Sequence, residues 1–430
     1  MLDVQQRLES LLQWANASSN ELSKASNAAY VSLKLEVKDV ENVGRGIYAV
    51  QQVQRNERLV RIPHSFLLNF TTVVAHITKH NSLIVLSDPI FSNLQIPPAK
   101  LDDVGKVYSK FTYETLTALS SFQIVSLFLI LESQRPGSFW GPFMDMLPET
   151  EEMGLSPLVW TVQQHPEAEK LVSLLPRSAR KHADAIHSRF VKDMAVVEAL
   201  LKETDYFTTD RFLWAWMCIN SRCLYLEMPL GKSTDDNFTM APYVDFLNHL
   251  CDDECGIKID TSGFHVYAST QYKPGSELFF SYGPHSNEFL LCEYGFVLNE
   301  NKWNYIDVSD YIMPLFLPKH VDFLKRKGYY NDYTINRDGM SFRTEVALAT
   351  LQESAPDDSS RLNSLVDGLI HGAAYEARSQ ALLLQILQKI ARDSTKKLES
   401  VSRPGLPQQE AICVLHDGIL EICSARGVTL

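Results

Sequence analysis

At 430 residues the chain is long enough for roughly two or three hydrophobic cores, and 45% hydrophobic with 21% charged residues is the composition of an ordinary folded protein. A formal charge of −12 argues against a nucleic-acid binder, which needs a basic stripe to displace counterions from phosphates, and it suits a basic partner such as a lysine-rich polypeptide. The longest apolar run, Ile124 to Leu131, is too short to span a bilayer, no basic-then-apolar leader opens the chain, and the odd cysteine count suggests reduced thiols; no membrane role and a cytoplasmic, or also nuclear, location are expected.

Val4, Leu8, Leu11, Leu12 and Ala15 recur at helical spacing and predict an amphipathic helix from residue 2 to about residue 16. Val31 to Val37 alternates apolar and polar residues as a half-buried strand does, and Gly44-Arg45-Gly46-Ile47-Tyr48-Ala49 follows it. Strand signals thin out from about 72 to about 212, a stretch that reads as a helical insertion. Within it Ser120-x-x-Gln123 is a capping-box pattern opening a helix, apolar almost all round, that runs to about Ser133 before Pro136-Gly137. From Phe212 to Phe296 short-strand character returns. Ile257-Lys258-Ile259 and Phe264-His265-Val266-Tyr267 alternate about a turn at Asp260 to Gly263, and Lys273-Pro274-Gly275-Ser276 turns the chain into Leu278-Phe279-Phe280. These strands are expected to carry Asn248-His249 and Tyr282 toward each other.

The remainder reads as helices: Phe316 to Lys327, Phe342 to Leu351, one long helix from about Ser360 to Lys397, and a last around Ala411 to Ser424 with Ile412, Leu415, Ile419 and Ile422 on one stripe. The fold class is therefore expected to be α+β. A β-rich core interrupted by a helical insertion occupies residues 1–304, and an all-α domain occupies 305–430.

Three short motifs invite other readings. Gly44-x-Gly46-x-x-Ala49 meets a dinucleotide-binding pattern, but that site needs a helix to open at the last small residue, where Ile47-Tyr48-Ala49-Val50 favours a strand. Gly231-Lys232-Ser233 is like the end of a phosphate loop, but Leu226 stands where the first glycine is required. Cys218, Cys223, Cys251 and Cys255 lack the paired spacing of a zinc site, so no metal is expected and they read as small buried residues.

Asn248-His249 and Tyr282, bland singly, gain meaning from their order after the glycine pair. Gly44-Arg45-Gly46, Asn220-Ser221-Arg222, Asp245-Phe246-Leu247-Asn248-His249, Ser281-Tyr282-Gly283 and Tyr294-Gly295-Phe296, with Ser138-Phe139-Trp140 and Leu147-Pro148 in the insertion, resemble the motifs of SET-domain protein methyltransferases of the Rubisco large-subunit type. The resemblance covers almost the whole chain. It implies S-adenosyl-L-methionine held by backbone around Gly44, Arg45 and Gly46 and by Arg222, Asn248 and His249. It implies Tyr282 as the catalytic tyrosine, and Asp245, Tyr294 and Phe296 on the side of the substrate. It further implies methyl transfer to a lysine of a protein substrate, bound with the help of the C-terminal helical domain. No cysteine cluster follows Tyr294, which favours a ribosomal protein or translation factor over a histone. Histidine methylation on the same scaffold and a catalytically inactive peptide-binding module are the alternatives. A monomer that does not touch nucleic acid directly is expected.

Overall fold

The computed structural model describes residues 4–16, 29–40, 44–86, 91, 94–225, 236–252, 255–401 and 405–429. Gly231-Lys232-Ser233 lies outside them. The chain divides into two compact units, Met1–Gly154 with Ala185–Pro284, and Leu155–Asp184 with His285–Leu430.

The described strands of the first unit are β1 (Tyr30–Val31), β2 (Leu35–Val40), β3 (Gly44–Ala49), β4 (Arg58–Ile62), β5 (Leu68–Asn69), β6 (Leu224–Tyr225), β7 (Phe238–Met240), β8 (Asn248–His249), β9 (Cys255–Asp260), β10 (Gly263–Ala268) and β11 (Glu277–Phe280). Among the described residues they form three sheets, in the orders β1-β4-β10-β9, β2-β3-β11-β8 and β5-β7-β6. The predicted hairpin is β9 with β10, antiparallel, and Gly263 at its turn has φ +133° with the Ile62 carbonyl where a Cβ would go. Gly275, at φ +86°, makes the turn into β11.

The second of these sheets joins distant sequence. β2 and β3 run antiparallel from Leu35 opposite Ala49 to Val40 opposite Gly44, and β11 lies antiparallel to β3 with Glu277 opposite Tyr48. β8 then adds to the other edge of β11 in parallel, Asn248 opposite Phe279 and His249 opposite Phe280. Ile47, Ala49 and Leu278 bury its inner face, and each large aliphatic side chain so buried contributes about 1.5–3 kcal/mol.

Helices dominate the stretch between β5 and β6. Ser121–Ser133 is its centre: the Ser120 hydroxyl accepts from the Gln123 N–H at 3.2 Å, and the Gln123 side chain accepts from the Ser120 N–H at 3.0 Å, the capping box expected. Ile124 to Leu131 are all buried, and Phe122 meets Trp216 of the Thr209–Arg222 helix at 5.1 Å between ring centroids.

Four expectations need correcting. The strand predicted over Val31 to Val37 is broken at Leu33-Lys34, where a turn leaves Leu33 92% exposed and lets Lys34 pair with Glu57 at 2.8 Å. Strand character does not return at Phe212: the Thr208 hydroxyl caps a helix running to Arg222, and Phe212, Trp216 and Ile219 bury one face of it. The long C-terminal helix is two helices, Ser360–Val366 and Ala373–Ser400, because Gly368 takes φ +71° and ends the first. The C-terminal region also holds a strand pair, β12 (Tyr305–Asp307) antiparallel to β13 (Thr334–Asn336).

In the second unit the apolar stripe of the Pro407–Ala425 helix is buried as expected. Ile419 and Ile422 share one core with Leu383, Leu387 and Ile390 of Ala373–Ser400 and with Ile306 and Ile335 of the strand pair.

Candidate active site

The β2-β3-β11-β8 sheet brings most of the singled-out residues of the first unit together. Gly44 to Gly46 open β3, Asn248 and His249 are β8, and Tyr282 follows β11 by two residues. The Tyr282 N–H donates to His249 Nδ1 at 3.1 Å, and the two rings lie 5.1 Å apart at 31°. Because Nδ1 is the acceptor, the neutral His249 ring carries its proton on Nε2. The Tyr282 hydroxyl donates to the Leu247 carbonyl at 2.8 Å. Its one proton is therefore directed at the backbone, so toward any other group its oxygen can act only as an acceptor.

The glycines are there for different reasons. Gly44 has φ +87°, which a side chain resists, while Gly46 has no room: a Cβ would strike the carboxylate of Glu277 and come to 3.0 Å from Asn248 Nδ2. Glu277 is the residue the sequence reading missed. Its carboxylate accepts from Asn248 Nδ2 at 2.7 Å and from the Tyr48 hydroxyl at 3.0 Å, tying β8 and β3 to β11. Burial, and then the bond to Glu277, push the Tyr48 hydroxyl above its usual range. The available signal was a lone charge entering the apolar Leu-Phe-Phe strand directly after a turn.

Arg222, partly exposed, pairs with the buried side chain of Asp245 beside these strands. Arg222 closes the Thr209–Arg222 helix, where a cation meets the negative end of the helix dipole, and its Nη1 donates to the Asp245 carbonyl at 3.1 Å and lies 3.5 Å from Oδ2. The Asp245 side chain is 2% exposed. Burial raises its carboxyl above the usual range, against the pull of Arg222 and Arg45. Among the described residues Arg222 Nε and Asp245 Oδ1 are buried without a hydrogen-bond partner. Tyr243, buried at φ +70°, enters the short turn Val244–Phe246 that presents Asp245; a bulky residue keeps such a conformation only where its surroundings impose it.

Cys218 and Cys255 are buried, Cys223 and Cys251 partly so, and burial pushes the Cys218 thiol up to about 12.

Tyr294 and Phe296 belong to the second unit. Tyr294 ends a π-helical turn, Leu290–Tyr294, closed by Gly295 at φ +78°, an irregularity common at functional sites. Its ring is 6.2 Å from Phe296, 6.3 Å from Phe289 and 6.4 Å from His285, a half-buried aromatic group.

A β-rich core with a helical insertion and a Gly-x-Gly strand placed beside Asn-His and Tyr defines a SET domain. The chain belongs to the SET-domain family, whose model matches residues 44–283; a second, described as the ribosomal lysine N-methyltransferase 2 C-terminal domain, matches residues 304–426. It is similar to Ribosomal lysine N-methyltransferase 2 of Saccharomyces cerevisiae, 29% identical over 91% of this chain and 93% of that one. It is also similar to Ribosomal lysine N-methyltransferase set11 of Schizosaccharomyces pombe, 26% identical over 92% and 91%. The structure of Rubisco LSMT bound to AdoMet shares the fold, with a TM-score of 0.62 at 16% identity, covering 99% of this chain and 91% of that one.

Proposed function

We propose that this chain is a protein-lysine N-methyltransferase that uses S-adenosyl-L-methionine and modifies a ribosomal protein. The observation that carries the reading is the parallel β8–β11 pairing, which seats Tyr282 on His249 in a chain of the SET family. The relatives' names supply the substrate class.

The donor set suits the cofactor. Gly44 leaves open space where a Cβ would stand, and Arg222 Nε and Asp245 Oδ1, one buried donor and one buried acceptor, match the carboxylate and ammonium of an amino acid. Gly44, Arg45 and Gly46, through their backbone, with Arg222, Asn248 and His249 would hold it. S-adenosyl-L-methionine supplies a methyl group on a sulfonium, transferred by in-line displacement to a neutral amine.

Catalysis then rests on alignment. With its proton on the Leu247 carbonyl, the Tyr282 oxygen accepts an N–H of the target amine and fixes its direction. Glu277 holds the Asn248 amide in one orientation. The Tyr294 and Phe296 rings suit the apolar stem of a target lysine, and desolvation by such rings favours the neutral amine. The helical region after residue 304 recognises the protein substrate. The proposed enzyme is a monomer of the cytoplasm, or also of the nucleus, that binds no nucleic acid or membrane, and the charge of −12 supports the absence of nucleic-acid binding. Among the described residues no helix is long and apolar enough to cross a membrane.

Methyl-labelled S-adenosyl-L-methionine incubated with the chain and separately with ribosomal proteins, translation factors and histones tests this. Label should enter ribosomal protein, appear as Nε-methyllysine on hydrolysis, and be lost with Tyr282→Phe. Label recovered as methylhistidine, or confined to histones, would overturn the substrate assignment.

A further inference from the structure

Arg45 stands between the two glycines of β3, yet its side chain reaches out of the strand and is 9% exposed. Nη1 donates to the Met146 carbonyl at 2.5 Å and Nη2 to Glu152 Oε1 at 3.2 Å, while the guanidinium carbon lies 5.9 Å from the Phe246 ring centroid. That ring distance is within the range where a cation is attracted to an aromatic face. One side chain thus joins three stretches: the glycine strand, the 146–152 segment of the insertion, and the turn that leads into Asn248.

The far side of that segment is fixed independently. Trp214 Nε1 donates to the Pro148 carbonyl at 3.0 Å, and Arg7 Nη1 to the Asp145 carbonyl at 3.0 Å. Glu152 closes its own turn by accepting the Glu149 N–H on Oε2 at 2.7 Å, which leaves Oε1 directed at Arg45. The segment is therefore a rigid abutment, and the guanidinium is its connection to the glycine strand. A lysine could reach one of the two acceptors but could not span both, since its ammonium is a single point rather than a planar fork.

We propose that the Arg45 side chain is a positioning residue that latches the insertion to the glycine strand, so that cofactor affinity depends on Glu152, 107 residues away in sequence. The inference rests on reading Gly44 to Gly46 as cofactor-binding backbone. A strand held in its binding geometry only part of the time binds with its affinity reduced by that fraction. Loss of the latch therefore raises the dissociation constant, and the KM for the cofactor, more than it lowers kcat at saturation. A role in stability alone would lower Tm and leave the affinity of the folded molecules unchanged.

The test is calorimetric titration of the full chain with S-adenosyl-L-methionine, alongside thermal melts, for the parent, Arg45→Met, Arg45→Lys, Glu152→Gln and the Arg45→Met/Glu152→Gln double variant. Arg45→Met should bind about tenfold more weakly, with Arg45→Lys between it and the parent. Glu152→Gln, at a half-exposed position where folding is safe, should weaken binding about twofold to threefold in the parent and add nothing to Arg45→Met. Parent-like affinity in Arg45→Met, or fully additive losses in the double variant, overturns the latch. A parent chain that binds no cofactor overturns the site assignment itself, and the latch with it.

Discussion

The β2-β3-β11-β8 sheet and the helices Ala373–Ser400 and Pro407–Ala425 hold their side chains by opposite means. The sheet has strands of two to six residues, and β8 contributes only Asn248 and His249 to it. What aligns it is polar: Glu277 with Asn248 and Tyr48, and Tyr282 with Leu247 and His249. The helices have 28 and 19 residues and meet through Leu383, Leu387, Ile390, Ile419 and Ile422, a core in which, among the described residues, only a weak bond from Cys423 Sγ to the Leu387 carbonyl at 3.7 Å joins them. Directional bonds fix geometry but contribute little net stability, whereas apolar burial contributes stability and fixes geometry loosely. Substitutions in the sheet should therefore separate activity from stability, and substitutions in the helices should move stability alone.

Leu387→Ala should show the helical side most strongly. Leu387 is fully buried, so the cavity should cost about 2–5 kcal/mol in urea unfolding while the folded molecules bind cofactor as before. Tyr282→Phe should do the reverse. It keeps the ring and removes one hydroxyl, so single-turnover methyl transfer should slow roughly a hundredfold or more, with Tm and cofactor affinity nearly unchanged. Transfer at the parent rate would make Tyr282 a packing residue. Asn248→Ala leaves Glu277 without its amide donor and should weaken cofactor binding by about 1–3 kcal/mol in calorimetry, again with a cooperative melt.

A further prediction, on the helical side, concerns pH. Burial, opposed by the Ser178 hydroxyl, lifts the Glu288 carboxyl from 4.5 to about 7. Between those values the folded chain keeps a proton that the unfolded chain has released, so stability should fall as pH rises through that window. Glu288→Gln should flatten that slope in unfolding experiments at several pH values; an unchanged slope would mean that other groups set it.

What the sequence made legible was local. The Ser120 capping box, the hairpin about Asp260 to Gly263 and the apolar stripe of the last helix each need only neighbours in sequence, and each is present. Thr209–Arg222 was misread because Trp214, Trp216, Cys218 and Ile219 favour strands as residues, while their helical spacing and the Thr208 cap decide the matter. The break at Gly368 was lost within an otherwise periodic stretch. Among the site residues, the order of Gly44, Asn248, His249 and Tyr282 was visible, but Glu277 was not, because its partners Asn248 and Tyr48 are 29 and 229 residues away. Met146 and Glu152 were hidden from Arg45 for the same reason.

The late arrival of β8 and β11 also sets an order of events during synthesis. β3 leaves the exit tunnel with its glycines in place, but its partner β11 and the Asn248-His249 edge follow roughly two hundred residues later. Closing so long a loop is affordable, because the entropy cost rises only by about 0.6 kcal/mol for each doubling of length. A nascent chain halted before residue 277 has both glycines and no second wall to face them. Ligand capture by stalled chains of increasing length should consequently switch on in one step, after Tyr282 has emerged, and would serve as a timer for completion of the first unit.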